Sequence, residues 1–237
     1  MVRATGVRAG QRALDVGCGT GALIDTLAKL LGAGNVAAID PSERFVAACR
    51  ARVPAAEVRV GIAEELPWGD GEFDTVLAQL VVDGMNDARR GAEEMRRVAR
   101  PGGVLSACIW DFEGGMSLLR AVWDSALDVD PHLARSFGAD KRNPFSRPNE
   151  LEELWRTTGL ERVELGQVEA GADYADFDDL WYPFAKGVGN LGRFHEALDE
   201  RGREHFKRGA AERLGSPSGP FRLTATAWYV RGRTPAG

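Results

Sequence analysis

The sequence predicts an α/β fold, a doubly wound and largely parallel sheet covered by helices on both faces, and three observations predict it. Short apolar runs alternate with amphipathic helical patterns through the first 110 residues. A glycine-rich turn, Gly17-Cys18-Gly19-Thr20-Gly21, joins the first apolar run directly to the first helical one. An acidic residue, Asp40, closes the next apolar run nineteen positions after Gly21.

Taken in order, residues 12–17 read as a buried strand and 20–32 as a helix, with Leu23, Ile24, Leu27, Leu30 and Leu31 on one face. Glycines between them let the backbone turn sharply and leave bare main chain for a ligand to lie against. Strand, glycine turn and helix together open a nucleotide-binding βαβ unit. Asp15 stands two residues before Gly17; its carboxylate suits a ligand bearing an amine and repels a diphosphate. Residues 35–40 form the second strand, and an acid at the position of Asp40 accepts hydrogen bonds from ribose hydroxyls. The structural alternative is a helix cap: in Asp40-Pro41-Ser42-Glu43 the acid precedes a proline at the first helical position, with Glu three residues on. A carboxylate has two oxygens, so both readings hold together. The helix that follows spans 42–52.

Further strands fall at 57–62, 73–80 and 103–110, with a helix at 87–100 that Pro101-Gly102-Gly103 stops. Beyond residue 111 the simple alternation breaks. A helical piece, Met116 to Leu127, leads into a polar stretch carrying Pro131, Gly138 and Pro144. A helix at 148–158 and a strand at 161–169 restore the pattern, and a last strand runs from Arg222 to Val230. The expectation is a single domain, 1–237, with a core of 11–110, 148–170 and 220–232 and helical cap insertions at 111–147 and 171–219. Ligands in open α/β sheets bind beyond the carboxyl ends of the strands. Both insertions are therefore candidates for acceptor contacts, with Trp110, Asp111, Trp181 and Tyr182 as the residues put forward. The alternatives are that Asp111 caps the next segment, and that Trp181, Tyr182 and Phe184 pack the insertion onto the sheet.

Composition sets outer bounds. A chain of 237 residues buries most of its apolar surface in one domain. It has no run of 18 apolar residues and no apolar stretch of a secretory signal behind Met1. Cys18, Cys49 and Cys108 are scattered and follow no metal-ligand spacing, which points to a reducing cytoplasm. His132, His195 and His205 fit neither a metal site nor a catalytic triad, and no metal is expected. The net charge is −5 and basic residues are interleaved with acids, as in Glu93-Glu94-Met95-Arg96-Arg97, against a nucleic-acid footprint.

At this point the chain resembles a known family. Leu14 to Gly21 is similar to the first motif of class I S-adenosylmethionine-dependent methyltransferases. Gly61-Ile62-Ala63-Glu64-Glu65-Leu66-Pro67-Trp68 resembles the adenine-side motif of the methyltransferase type 11, ubiquinone/menaquinone-biosynthesis-like branch. Phe73 to Gln79 resembles its fourth strand, and Glu94 to Gly103 the helix and turn leading to the fifth. The four motifs cover roughly residues 11 to 111. The resemblance implies a Rossmann-like seven-stranded sheet whose last strand inserts antiparallel beside the sixth. It implies S-adenosylmethionine as cofactor and S-adenosylhomocysteine as product. Carried over residue by residue, the cofactor contacts are Asp15, Gly17, Cys18, Gly19, Gly21, Asp40, Pro41, Ser42, Ile62, Ala63, Glu64, Gln79 and Leu80.

Two departures from the family pattern stand out. An acid often receives the adenine amino group where this chain has Ile62, so recognition there rests on apolar contact and backbone groups; Glu64 reads equally as a surface loop acid. The family carries about thirty residues before its first strand, forming a cover for the cofactor, whereas Met1 to Gly10 precede it here. The expectation is an open site, or a start assigned too late.

The predicted function is in-line methyl transfer to a small-molecule acceptor. Ala78-Gln79-Leu80-Val81-Val82 lacks the Asn/Asp-Pro-Pro-aromatic sequence that grips planar amides and base nitrogens. Holding the reactants close supplies much of the rate, and a base is needed only if the acceptor must lose a proton; no catalytic residue is identified. One alternative is a degenerate protein that binds S-adenosylmethionine or S-adenosylhomocysteine without turnover. Another is an NAD(P)-dependent oxidoreductase, which Asp15 and the missing Tyr-x-x-x-Lys pair argue against. Neither membrane nor nucleic acid is an expected partner, and a monomer or a homodimer is expected.

Overall fold

The computed structural model describes residues 2–236, apart from the side chains of Arg3 and Ala4. In chain order the elements are α1 (Val2–Thr5), β1 (Ala13–Val16), α2 (Ala22–Leu31), β2 (Val36–Asp40), α3 (Glu43–Arg52), β3 (Glu57–Val60), β4 (Phe73–Gln79), α4 (Ala88–Val98), β5 (Ala99–Trp110), α5 (Ser117–Val129), α6 (Pro131–Phe137), α7 (Pro148–Thr157), β6 (Glu161–Tyr174), α8 (Phe177–Ala185), α9 (Gly189–Ala197), α10 (Glu200–Arg213) and β7 (Phe221–Arg233). The sheet has the order β3-β2-β1-β4-β5-β7-β6. Pairings from β3 through β5 are parallel, and β7 runs antiparallel to β5, with Val104 opposite Arg233 and Trp110 opposite Ala227. The expected seven-stranded sheet with an inserted antiparallel last strand is therefore the observed one.

The chain divides into two compact units. One comprises Met1–Trp110, Pro144–Val168 and Ala227–Gly237; the other comprises Asp111–Asn143 and Glu169–Thr226. In the first unit every residue of β1 and β2 is buried, as strands covered on both faces must be. Leu23, Ile24, Leu27 and Leu31 of α2 and Val46 and Cys49 of α3 pack with Ala13, Val36, Ala38, Val58 and Leu77 of the sheet. The 3.6-residue spacing seen in the sequence is this contact face. Trp155 of α7 is fully buried, and its Nε1 donates to the carbonyl of Leu105 at 3.4 Å.

The second unit is helical, with an aromatic core. Phe206 stacks edge-on against Trp181 at 4.9 Å and Phe194 at 5.0 Å between ring centroids. Ser125 Oγ donates to the Phe206 carbonyl at 2.8 Å, and a Cβ on Gly209 would stand 2.5 Å from that Oγ, so α5 and α10 meet at a glycine.

The structure corrects three expectations about elements. Pro101-Gly102-Gly103 does not end a helix; α4 stops at Val98, and these residues form a bulge inside β5, between the pairs Phe73–Ala99 and Thr75–Val104. Proline has no donor for the ladder and is tolerated at a bulge. The stretch read as polar holds α6, and its signals were present: Asp130 caps it, accepting from Leu133 N at 2.9 Å, Pro131 is its first residue and Gly138 follows its end. β6 and β7 are both longer than the expected 161–169 and 222–230.

Candidate functional site

Strand order reverses direction at β1, whose neighbours are β2 on one side and β4 on the other. At such a switch point the loops beyond the strand ends part and leave a crevice. A cavity of about 600 Å³ lies there. Val16 and Gly17 line it from the end of β1, Ile39 to Pro41 from β2, Gly61 to Glu64 from the loop after β3, and Leu80, Val81 and Asp83 to Asn86 from the segment after β4. Phe45 joins them from the first turn of α3.

The glycine turn is held by the next strand. Gly17 N and Cys18 N both donate to the Ile39 carbonyl, at 2.8 and 3.0 Å. Gly17 has φ +73°, and a Cβ on it would stand 2.6 Å from Val81 Cγ1, so any side chain would drive the turn off the β4 segment. Gly19, at φ +52°, has no atom within 4 Å of its would-be Cβ. Its face is bare main chain, the kind of surface a ligand backbone can lie against. Cys18 is buried, with burial pushing its thiol pKa up, and it does not line the cavity. Gly21 N donates to the Cys18 carbonyl at 2.9 Å, and the residue immediately precedes α2.

Asp40 is 7% exposed and both of its oxygens are engaged: Oδ2 accepts from Gly19 N and Oδ1 from Ser42 N, each at 2.9 Å. It clamps the glycine turn to the start of α3. The cap of α3 is not Asp40 but Ser42, whose Oγ accepts from Phe45 N at 3.4 Å. Each carboxylate oxygen still has a second lone pair for a ligand hydroxyl. Ser42→Ala is expected to lower stability by about 1 kcal/mol, the usual cost of an N-cap, with ligand affinity within threefold of the parent; a melt and a titration together check it.

Asp15 is 1% exposed and is not among the cavity-lining residues. Neither of its oxygens reaches a hydrogen-bond partner. Burial pushes its pKa to about 7; the Ile24 amide at the start of α2 opposes that without closing a bond, and the charge of Asp40 adds to it. An unpaired buried carboxylate destabilises a fold, and such groups concentrate at functional sites.

The far wall is apolar. Phe45 and Ile62 are 43% and 41% exposed, large apolar surfaces left open beside the cavity, while Ala63 is nearly buried. Their loop is fixed from behind. Glu94, buried on α4, accepts from Leu66 N at 3.0 Å and pairs with Arg97 at 2.7 Å, and Arg97 chiefly keeps its carboxyl below the usual range. Glu64 lines the cavity, and its Oε1 accepts from Asp87 N at 3.0 Å, which ties the loop to the start of α4.

Gln79 ends β4 and does not line the cavity, whereas Leu80 does. Leu80 has φ +60°, a conformation that costs a bulky residue about 1–3 kcal/mol and tends to sit at ligand clamps. Trp110 closes β5, half-buried, and pairs with Ala227. Asp111 Oδ1 accepts from Gly114 N at 3.0 Å, closing a local turn. Trp181 is 3% exposed inside the aromatic core of the second unit, and Tyr182 is 62% exposed with Lys186 Nζ 5.5 Å from its ring centre. The structure does not gather these four residues into the cavity. Val16, Ile39, Phe45, Gly61, Val81 and Asp83 to Asn86 line the cavity beyond the residues that the sequence puts forward. The rule that ligands bind beyond strand ends points to the segment after β4, and Phe45 lies one turn into the helix after Asp40.

Residues 14–107 match the family described as methyltransferase domain. Over 173 residues the chain is 30% identical to demethylmenaquinone methyltransferase of Roseiflexus castenholzii, covering 68% of this chain and 72% of that protein. The chain belongs to the S-adenosylmethionine-dependent methyltransferases. The fold of this methyltransferase family member is shared with the YcgJ protein of Bacillus subtilis, with TM-score 0.62 at 16% identity, covering 100% of this chain and 97% of that one. It is shared also with Haemonchus contortus phosphoethanolamine N-methyltransferase 2, solved in complex with S-adenosyl-L-methionine, with TM-score 0.60 at 16% identity, covering 99% of this chain and 51% of that one. The chain spans 34% to 42% of the length of several other curated relatives that it matches. S-adenosylmethionine is the cofactor of the family. Among the described residues no helix is long and apolar enough to cross a membrane, and no cluster of three metal-ligating side chains occurs.

Proposed function

We propose that this chain binds S-adenosylmethionine in the cavity at the β1–β4 switch point and catalyses transfer of its methyl group to a small-molecule acceptor. The observation that carries the proposal is a cavity that Gly17 of the glycine turn and the carboxylate Asp40 line together with the apolar pair Phe45 and Ile62, with the buried, unpaired carboxylate of Asp15 two residues before the turn. The residues present fit the cofactor: Asp40 for ribose hydroxyls, Phe45, Ile62 and Ala63 for a planar base, and the unpaired charge of Asp15 for a cationic amine. When bound, the cofactor supplies an electrophilic sulfonium methyl. The chain's own part is to hold the donor against Gly17–Gly19, to keep water from the apolar wall and to orient the acceptor in line, which lowers the barrier by removing rotational and translational freedom. Three buried free cysteines suit a reducing cytoplasm, where we place it.

Calorimetry with S-adenosylmethionine, S-adenosylhomocysteine and NAD tests the assignment. Micromolar binding of the first two without NAD is expected; NAD alone binding would overturn it. Binding of both without methylation of any acceptor in a metabolite panel would favour a cofactor-binding protein without turnover. Asp40→Ala is expected to weaken S-adenosylhomocysteine binding by about 1.5–3 kcal/mol, the size of a charge-assisted hydrogen bond plus the loosened turn. Undiminished affinity in that variant would remove Asp40 from the ribose site.

A further inference from the structure

Three charged residues line the cavity, Asp40, Glu64 and Asp83, and no Lys, Arg or His lines it among the described residues. Two of the three are committed to the protein. Asp40 holds the amides of Gly19 and Ser42, and Glu64 holds the amide of Asp87. Asp83 is different. It sits in the short turn Val82–Gly84, half-buried, three residues past the strained Leu80. Its hydrogen bond is to its own backbone, and among the described residues it has no ion pair. Val81 and Met85 flank it on the same wall with apolar surface. We propose that the acceptor is an amine carrying an apolar body, and that Asp83 is the carboxylate that receives its ammonium group.

The inference rests on the methyltransferase reading of the cavity and adds the acceptor's chemical class. A concave site lined by one sign of charge concentrates ligands of the opposite sign and rejects its own. Carboxylate and phosphate acceptors would enter against three acids with no cation to meet them. An ammonium finds Asp83 unspent, and burial holds that carboxyl above its usual range, closer to the basicity needed to take a proton. In the reaction an N–H proton passes to Asp83 Oδ, freeing the nitrogen lone pair. That pair forms the new N–C bond while the C–S bond breaks, its electrons remaining on sulfur. The methylated amine leaves as the cation, and the proton on Asp83 returns to solvent. Asp83 touches the reacting nitrogen and is in that sense a catalytic residue.

The test uses three probes of similar size: phenethylamine, 2-phenylethanol and 3-phenylpropanoate. Each is titrated into the full chain, with and without S-adenosylhomocysteine, by calorimetry or ligand-observed NMR. Phenethylamine is expected to bind at least tenfold tighter than 2-phenylethanol, and 3-phenylpropanoate not measurably. Asp83→Asn is expected to erase the amine preference while keeping its circular dichroism and its S-adenosylhomocysteine affinity; Asp83→Glu is expected to retain the preference. Equal binding of amine and alcohol by the parent chain overturns the proposal, as does an undiminished preference in Asp83→Asn. A tenfold loss of S-adenosylhomocysteine affinity in Asp83→Asn with the amine preference intact also overturns it, because the carboxylate would then serve the cofactor's own ammonium. If the parent chain fails to bind S-adenosylhomocysteine, the methyltransferase reading fails, and the amine preference in its absence still decides the role of Asp83.

Discussion

Gly19→Val is expected to abolish S-adenosylhomocysteine binding, with an affinity loss of at least a hundredfold, about 2.7 kcal/mol or more. Two effects combine. The residue has φ +52°, and a β-branched side chain held there costs roughly 1–3 kcal/mol of backbone strain. Its Cβ would meet no protein atom within 4 Å, so the fold has room for the side chain, and the space it takes is the open face on which the proposed function lays the ligand. Gly10→Val separates the two effects. Gly10 also has positive φ, at +84°, with nothing near its would-be Cβ, and it lies outside the Gly17–Gly21 turn. It should match Gly19→Val in lost stability and leave binding untouched. Calorimetric titration of both variants decides the matter, and retained affinity in Gly19→Val would move the ligand elsewhere.

Asp15→Asn carries the second large effect, and it is one of stability against pH. In the folded chain the carboxyl titrates near 7, against an ordinary value of 3.8. Between those values the folded state holds a proton that the unfolded state has lost, so stability falls as pH rises from about 4 to 7 and stays low above. The cost of ionised, unpaired Asp15 is on the order of 4 kcal/mol at pH 8. Asparagine removes it. The variant should therefore melt higher at pH 8, by on the order of 10 °C for a chain of this size, and match the parent near pH 4, where both side chains are neutral. A gain independent of pH would locate its origin elsewhere. Affinity should move the other way. A bound cation favours ionised Asp15, so binding to the parent chain should strengthen as pH rises toward 7 and then level, while the variant binds more weakly with a flatter profile. Stability given up at the site of binding is a common pattern at functional centres.

The sequence by itself determined the βαβ opening, the end of the second strand at Asp40 and those of the first and fourth to within one residue, the antiparallel last strand implied by the family resemblance, and the glycine turn. Each is written in local signals: hydrophobic period, glycine spacing and an acid at a strand end. Signals of the same local kind mark α6, through Asp130, Pro131 and Gly138, although the polar composition of the stretch hides its helical period. Only the tertiary structure decided how side chains divide their bonds. It gave the α3 cap to Ser42 and left Asp40 clamping Gly19, because the two oxygens meet the amides of Gly19 and Ser42, from segments far apart in sequence. It buried Asp15 outside the cavity lining, a matter of depth that spacing cannot express. It spent Trp181 on a helical core and opened Phe45 beside the cavity, although both are aromatic residues on amphipathic helices. It brought Asp83 to the wall with no bond beyond the one to its own backbone. Periodicity says which face of an element is buried, but which neighbours it meets, and which polar atoms remain unpaired, depends on the packing of chain segments far apart in sequence.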